Sequence, residues 1–410
     1  MQLSSFPVLW NTAMPVKSQS PVYLIALGSF ALGMASYVMA GLIPMIEHAF
    51  AVPVAIAAQL VTAFTLAYGV GSPVVVALLP AHRQRGGLLL ALGLFVLANA
   101  ASAVTTNFTL LLAFRAIAGV GAGVYLATGI AASTALSRPE QRGKSIAVIM
   151  GGMASGTVLG VPLSLLLAER LGWASALWLV AALGLIAWLG LALRLPALAA
   201  APSVPLKRKL ALLTDGHVMV ILLVSLLAAI ASLGMYTFIA PLLAAPEYGD
   251  IHSVTPYLWA WGVGGVLGSF LIGPLVDRIK GPTLTLSIMV ILAAALLLLP
   301  AAASSGAWLV MLPIAIWGAV GWALQVPQNN ELIKARESQG DGNLAIALNE
   351  SALYLGSAIG AAVGGFLLIL HWPVWILASG AGAVAVLGAS IQMLNMRLTF
   401  SKSRCEASSR

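Results

Sequence analysis

Apolar residues in this chain come in long unbroken runs, unlike the alternation of a strand or the one-sided stripe of a surface helix. Charge-free stretches of about 18 or more residues recur from end to end, each long enough to cross about 30 Å of hydrocarbon as a helix. Cutting the runs at turn signals predicts twelve spans: 22–46, 55–79, 87–105, 108–135, 145–168 and 173–195, then 217–243, 254–276, 283–302, 306–328, 344–370 and 373–396. The period of two expected of barrel strands is absent. One internal segment breaks the rhythm. Pro196–Gly216 holds Pro196, Pro202, Pro205 and the Lys207-Arg208-Lys209 cluster, and it divides the spans six and six. The predicted organisation is an N-terminal segment at 1–21, a six-helix bundle at 22–195, a linker at 196–216, a second bundle at 217–396 and a tail at 397–410.

The halves echo each other. The fifth span carries Gly152, Gly156 and Gly160; the eleventh carries Gly356, Gly360 and Gly364. Glycine every four residues makes a smooth stripe for close backbone approach. Span two exits through Gly71-Ser72-Pro73 to Arg83 and Arg85, and span eight through Gly268-Ser269-Phe270 to Asp277-Arg278-Ile279-Lys280. Shared features in the same order point to parallel repeats, with a midplane binding site expected between them.

Composition agrees. Only 8% of the 410 residues are charged and 60% are hydrophobic, against about 25% charged in a soluble domain. The expected fold class is therefore all-α integral membrane, with twelve helices in two pseudo-symmetric six-helix bundles. Cys405 is the single cysteine and lies in the tail, which excludes disulfides and cysteine metal centres within the chain. The net charge of +8 is spread over short loops, so it reads as a topology signal and no nucleic-acid partner is expected. With the N-terminus in the cytoplasm, every Lys and Arg except Arg115 and Arg170 falls inside, and both termini are cytoplasmic. The run after residue 21 is too long for a cleaved signal, so it reads as a retained first span in an inner (plasma) membrane. Residues 1–13 contribute nothing recognisable, and Met14 is an alternative start.

At this point the residues resemble the major facilitator superfamily, in its branch of twelve-span drug:proton antiporters and sugar or nucleoside exporters. Phe30-Ala31-Leu32-Gly33 with Gly41-Leu42-Ile43-Pro44 looks like that branch's first span. Arg115 followed by Gly119, Gly121 and Gly123 is similar to its fourth-span motif, and Arg138-Pro139-Glu140-Gln141-Arg142-Gly143 to the loop after it. Gly156-Thr157-Val158-Leu159-Gly160-Val161-Pro162 resembles the fifth-span motif that the family associates with export. The resemblance implies a conformational role for Gly156, Gly160 and Pro162, and a charge latch at Asp277 and Arg278. Two departures stand out. The first half has Pro80-Ala81 where the family's loop carries an Asp, and Ala35-Ser36-Tyr37 holds none of the acid that many relatives place midway along span one.

Two charged residues fall at hydrocarbon depth, Glu350 and Arg115. Each costs about 2.5–3.5 kcal/mol at a helix centre, so each is expected to face protein or a wet cavity. Asn343, Glu350, Tyr354 and Ser357 share one stripe of span eleven, with Gly356 and Gly360 round the helix from them. Glu350 is thus a candidate proton carrier or anchor for a cationic substrate group; the alternative is a structural carboxyl bonded to backbone or linker. Arg115 is a candidate for holding a carboxyl or an anionic substrate; the alternative is a hub tying helices together. Further cavity-lining candidates are Ser36 on span one with Tyr37, Ser232 and Tyr236 on span seven, and Gln325 at the end of span ten, near Gln328 and Asn329. Tyr37, Trp317, Trp322 and Tyr354 suit an aromatic pocket, whereas Trp259, Trp261, Trp372 and Trp375 are assigned to the interfacial belt. Pro162 and Pro241 permit bends in spans five and seven.

Other function classes fit poorly. Gly143-Lys144-Ser145 mimics the end of a phosphate loop, but Arg138 stands where its first glycine belongs. No HExxH or GxSxG occurs, and the histidines sit near span ends, so no enzyme and no cofactor or metal is expected. A channel or receptor leaves the repeat unexplained. The expected function is secondary export of a small organic molecule by alternating access, as a monomeric proton antiporter in contact with membrane lipids. A proton-independent facilitator or an importer is the alternative.

Overall fold

The computed structural model describes residues 20–79, 83–138, 142–198, 214–248, 253–336 and 342–408. Among them every regular element is helical, as expected where the bilayer leaves backbone groups no partner but their own helix. The spans are α1 (Ser20–Phe50), α2 (Val54–Val76), α3 (Gln84–Val104), α4 (Phe108–Leu136), α5 (Lys144–Leu171) and α6 (Ala174–Arg194). Then follow α7 (Gly216–Thr237), α8 (Thr255–Arg278), α9 (Gly281–Ser305), α10 in two pieces (Met311–Ala323 and Gln325–Arg336), α11 (Gly342–Ile369) and α12 (Trp375–Ser408). Eleven are long and apolar enough to cross a membrane unbroken; α10, interrupted at Leu324, is the twelfth. Large apolar side chains such as Leu97, Leu193, Phe270 and Leu298 point outward, the reverse of a soluble surface. Helix ends carrying Arg83, Arg85, Lys144, Arg194, Arg278 and Lys280 define a basic face; the other ends form the opposite face.

Two differences from the sequence reading have a physical cause. The predicted tenth span ends at residue 328, yet the polar second piece of α10 runs on from Gln325 to Arg336 as helix, because Leu332 and Arg336 are buried against the basic-face ends of the second bundle. Likewise α12 continues to Ser408, since a helix satisfies its backbone internally beyond the apolar run.

Proline explains where helices lose regularity. A proline offers no N–H to the carbonyl four residues earlier. Pro327 thus frees Ala323, where α10 breaks, and Pro241 frees Thr237, where α7 stops before a short continuation at Ile239–Leu243. In α2 a π-turn at Ala67–Gly71 surrounds Gly69, four before Pro73. In α5 another at Gly156–Gly160 surrounds Val158, four before Pro162. Pro44, Pro274 and Pro300 lie in uninterrupted helices, so proline permits the break and local packing decides it.

The glycine stripes position the bundles' helices in the same way. A β-carbon added at Gly156 would meet the backbone of Phe30 on α1, and one at Gly360 the backbone of Gly234 and Ile230 on α7. Helix five of the first bundle packs on its first helix as helix eleven packs on the seventh. Toward the basic face there are two further cores, and the second bundle's Tyr354 enters only the one on the first bundle's side. One holds Ile25, Leu88, Tyr125 and Leu191; the other, small, holds Val218, Ile221 and Leu332. Toward the opposite face the bundles merge, with Leu42, Leu60 and Leu165 in one cluster with Phe238, Leu243 and Leu258.

Candidate functional site

The merger leaves a cavity between the bundles. Its wall takes Tyr37 from α1, Met150, Met153 and Thr157 from α5, Ser232 from α7, Trp261 from α8, Trp322 and Gln325 from α10, and Glu350 from α11. Its volume is about 80 Å³, room for waters and well short of the 300–1,000 Å³ of a site enclosing a drug-sized ligand. Met150 and Glu350 each lie about two turns in from the basic face, and the shared apolar cluster closes the other end.

Glu350 is the one charged residue of that wall. Among the described residues it makes no hydrogen bond or ion pair, and it is half-buried. Around it the polarity is sparse: Gln325, Thr157, Ser232 and the Tyr37 hydroxyl. The next turn of α10 is more polar, where Asn349 donates to Asn329 at 2.8 Å and Gln328 is buried.

A smaller cavity beside the first is lined by Ser36, Tyr37, Thr65, Tyr236, Tyr354 and Ser357. Tyr37 borders both. Tyr354 stacks on Tyr68 of α2 with ring centroids 3.5 Å apart, which forms the α2–α11 seam between the bundles. Of the stripe read on α11, Glu350 lines one cavity and Tyr354 and Ser357 the other. The side chains of Asn343 and Asp277 lie outside the described set. Ser36 donates to its own helix at Leu32 O, 2.9 Å, the ordinary fate of a serine in an apolar helix. Arg278 sits exposed at the end of α8, and Gly156, Gly160 and Pro162 form and follow the π-turn of α5.

Arg115 lies elsewhere. It is fully buried within the first bundle and borders neither cavity. Its Nη2 donates to Ala35 O at 2.9 Å, Nη1 reaches Asn99 Oδ1 at 3.5 Å, and its guanidinium carbon stands 4.4 Å from the Phe64 ring centroid. One side chain thus ties α1, α2, α3 and α4 together, and it does so at Ala35, in the stretch of α1 that lacks an acid. This is the geometry of a hub.

Two residues escaped the sequence reading. Trp261, assigned there to the interfacial belt, is 1% exposed and lines the main cavity with Tyr37 and Trp322; the rings of Tyr236 and Trp317 pack against it outside that wall, and all four lie within 6.3 Å of it by ring centroid. Its place near a span end is common to belt and cavity residues, so spacing gave no signal. Glu169, at the opposite-face end of α5, accepts from Thr255 Oγ1 at 3.1 Å and Ser253 Oγ at 3.4 Å, at the start of α8. It joins the two bundles where the cavity is shut, and a carboxylate suits that helix N-terminus. A charge near a span end had read as loop.

A family model described as the Major Facilitator Superfamily matches residues 25–336. The chain is 28% identical over 397 residues to the inner membrane transport protein YdhP of Escherichia coli (strain K12), covering 95% of this chain and 97% of that one. It is 30% identical over 348 residues to a chloramphenicol resistance protein of Streptomyces lividans, covering 84% and 88%. Among solved structures it resembles a D-xylose–proton symporter with a TM-score of 0.73 at 16% identity, over 91% of this chain and 96% of that one.

Proposed function

The chain belongs to the Major Facilitator Superfamily, and from that premise we propose that it exports a small organic molecule in exchange for protons by alternating access. In this reading 22–195 and 217–396 are the two rocking units, the basic face is cytoplasmic, both termini lie inside, and the protein acts as a monomer. The observation that carries the proposal is Glu350, a lone carboxyl on the wall of the cavity between the bundles, with no ionic partner among the described residues.

A carboxylate that pairs with a cationic substrate group must first release its proton. Substrate entering from the basic face competes for Glu350 with its proton. Once the bundles rock and the cavity opens oppositely, a proton from outside displaces the substrate. Each proton returning down the potential supplies about 2.3 kcal/mol per 100 mV. The resistance protein among the relatives makes chloramphenicol a rational first probe, and its name accords with export.

In everted vesicles, adding a transported probe to energised membranes is expected to discharge the proton gradient. A protonophore is expected to abolish accumulation. Glu350→Gln is expected to lose the gradient discharge while keeping a folded protein. Transport indifferent to both the protonophore and the substitution would instead establish the facilitator reading, which the acid-free stretch Ala35-Ser36-Tyr37 favours.

A further inference from the structure

Two cavities of different chemistry meet at one thin wall. The larger, about 80 Å³, carries Glu350 on an otherwise sparsely polar lining. The smaller, about 10 Å³, has no charged residue but is crowded with hydroxyls, those of Ser36, Thr65, Tyr236, Thr237 and Ser357 among them. Ser36, Thr65 and Thr237 donate to their own helices at Leu32 O, Val61 O and Leu233 O, which leaves their oxygen lone pairs free. Tyr236 and Ser357 make no hydrogen bond among the described residues, and both hydroxyl oxygens keep accessible surface. Ser357 lies two turns beyond Glu350 on α11, about 10 Å nearer the opposite face. Only Tyr37 of α1 and Leu233 of α7 border both cavities. The Tyr37 hydroxyl has no hydrogen-bond partner among the described residues, and its ring rests on Tyr236 at 5.4 Å and Trp261 at 5.8 Å by centroid. The partition is therefore a ring held by aromatic packing, with no polar lock.

We propose that Tyr37 is a specificity-determining residue that sets how far a cationic substrate reaches inward from Glu350. With the ring in place, a short aliphatic cation fits the charged chamber and a longer chain is turned back toward the basic face. With the ring removed, the two chambers join into one, with a carboxylate at one pole and hydroxyls about 10 Å away at the other. That shape favours an amino alcohol whose hydroxyl stands at a matching distance from its ammonium group. The proposal rests on the cavity being the binding site proposed above; it is independent of proton coupling and of direction.

Propylamine, hexylamine and 6-amino-1-hexanol share one ammonium group and differ in reach and in the terminal hydroxyl. Each is titrated calorimetrically into the full chain in nanodiscs, with empty nanodiscs subtracted. The affinity ratio of hexylamine to propylamine is expected to rise on the order of tenfold from wild type to Tyr37→Ala, the effect of burying about two more methylenes. The ratio of 6-amino-1-hexanol to hexylamine is expected to rise several-fold in the same variant, the worth of about one hydrogen bond. Tyr37→Phe keeps the ring and is expected to keep both wild-type ratios. Tyr37→Leu, which lacks the reach of the phenol, is expected to show both rises in smaller measure, and it decides the question where Tyr37→Ala fails to fold. Ratios unchanged in the Ala and Leu variants overturn the partition, as does a Tyr37→Phe variant that behaves like Tyr37→Ala. Glu350→Gln is expected to weaken all three amines alike. If it weakens none, or if the wild type binds none, the site proposed above falls and the partition with it. If it weakens all three while truncation of Tyr37 moves neither ratio, the partition alone falls.

Discussion

A buried guanidinium with no carboxylate partner is stable only if carbonyls, amides and rings share its charge. Arg115 meets that condition through Ala35 O, Asn99 Oδ1 and the face of Phe64. Lysine has a compact ammonium and no planar fork, so it cannot serve three partners on three helices at once. Arg115→Lys is therefore expected to lower stability by about 2–4 kcal/mol and to depress the melting temperature in detergent, with substrate affinity of the folded protein unchanged. A fall in affinity with an unaltered melting temperature would return Arg115 to the binding site. The sequence could say that Arg115 and Glu350 are costly at hydrocarbon depth, because that follows from charge and hydropathy alone. It could not say which faces a cavity. That depends on how helices distant in the chain pack, and the same ignorance sent Trp261 to the interfacial belt. Ser232 and Tyr37 were legible because polar atoms on one face of an otherwise apolar helix have few other places to go.

At the scale of elements, helix number and order were legible because each span must be apolar along its length. The break in α10 was legible only in part. Pro327 announces it, but the polar run from Gln325 to Arg336 hides the helix that follows. What holds that second piece is an ion pair: Arg336 Nη1 lies 3.0 Å from Asp215 Oδ2. Asp215 also caps α7, accepting from His217 N at 3.0 Å and Val218 N at 3.4 Å. Burial of Asp215 disfavours its ionised form, but the Val218 and His217 N–H groups and the Arg336 guanidinium outweigh this. Its carboxyl therefore sits below the usual carboxylate range. A depressed folded pKa stabilises the fold above the unfolded value of about 3.9 and loses that contribution as pH falls through the folded value. Stability of the second bundle is thus expected to be flat with respect to this pair above about pH 5 and to decline in stronger acid. In Asp215→Asn, melting temperatures across that range are expected to be lower at neutral pH and to lack this component of the acid decline. A mutant whose acid profile parallels the wild type's would show that Asp215 carries none of the dependence.

For the whole molecule, the two bundles meet unequally. On the opposite face they share an apolar cluster, while toward the basic face the first bundle's core takes in only Tyr354 of the second, and the cavity lies between. To expose Glu350 to the other side, the protein must separate Leu42 and Leu165 from Leu258 and must release Glu169 from Thr255 and Ser253. The apolar part costs water exposure whichever way it opens. The Glu169 contact is different: it is polar, sits at the surface, and exchanges readily for water, so its worth is small. A small term still matters when two states are close in energy, since about 1 kcal/mol shifts a two-state ratio roughly fivefold. Glu169→Ala is accordingly expected to raise the population open on the opposite face by up to about fivefold, with Glu350 and the cavity wall untouched. Spin labels at Leu171→Cys and Pro256→Cys, in a background where the single native cysteine is replaced by Cys405→Ser, span the ends of α5 and α8. Glu169→Ala should enlarge the long-distance fraction between them, and Glu169→Asp should fall between it and the wild type. If the distance distribution stays as in the wild type, the apolar cluster alone sets the closure of that face, and Glu169 has no part in the rocking of the bundles.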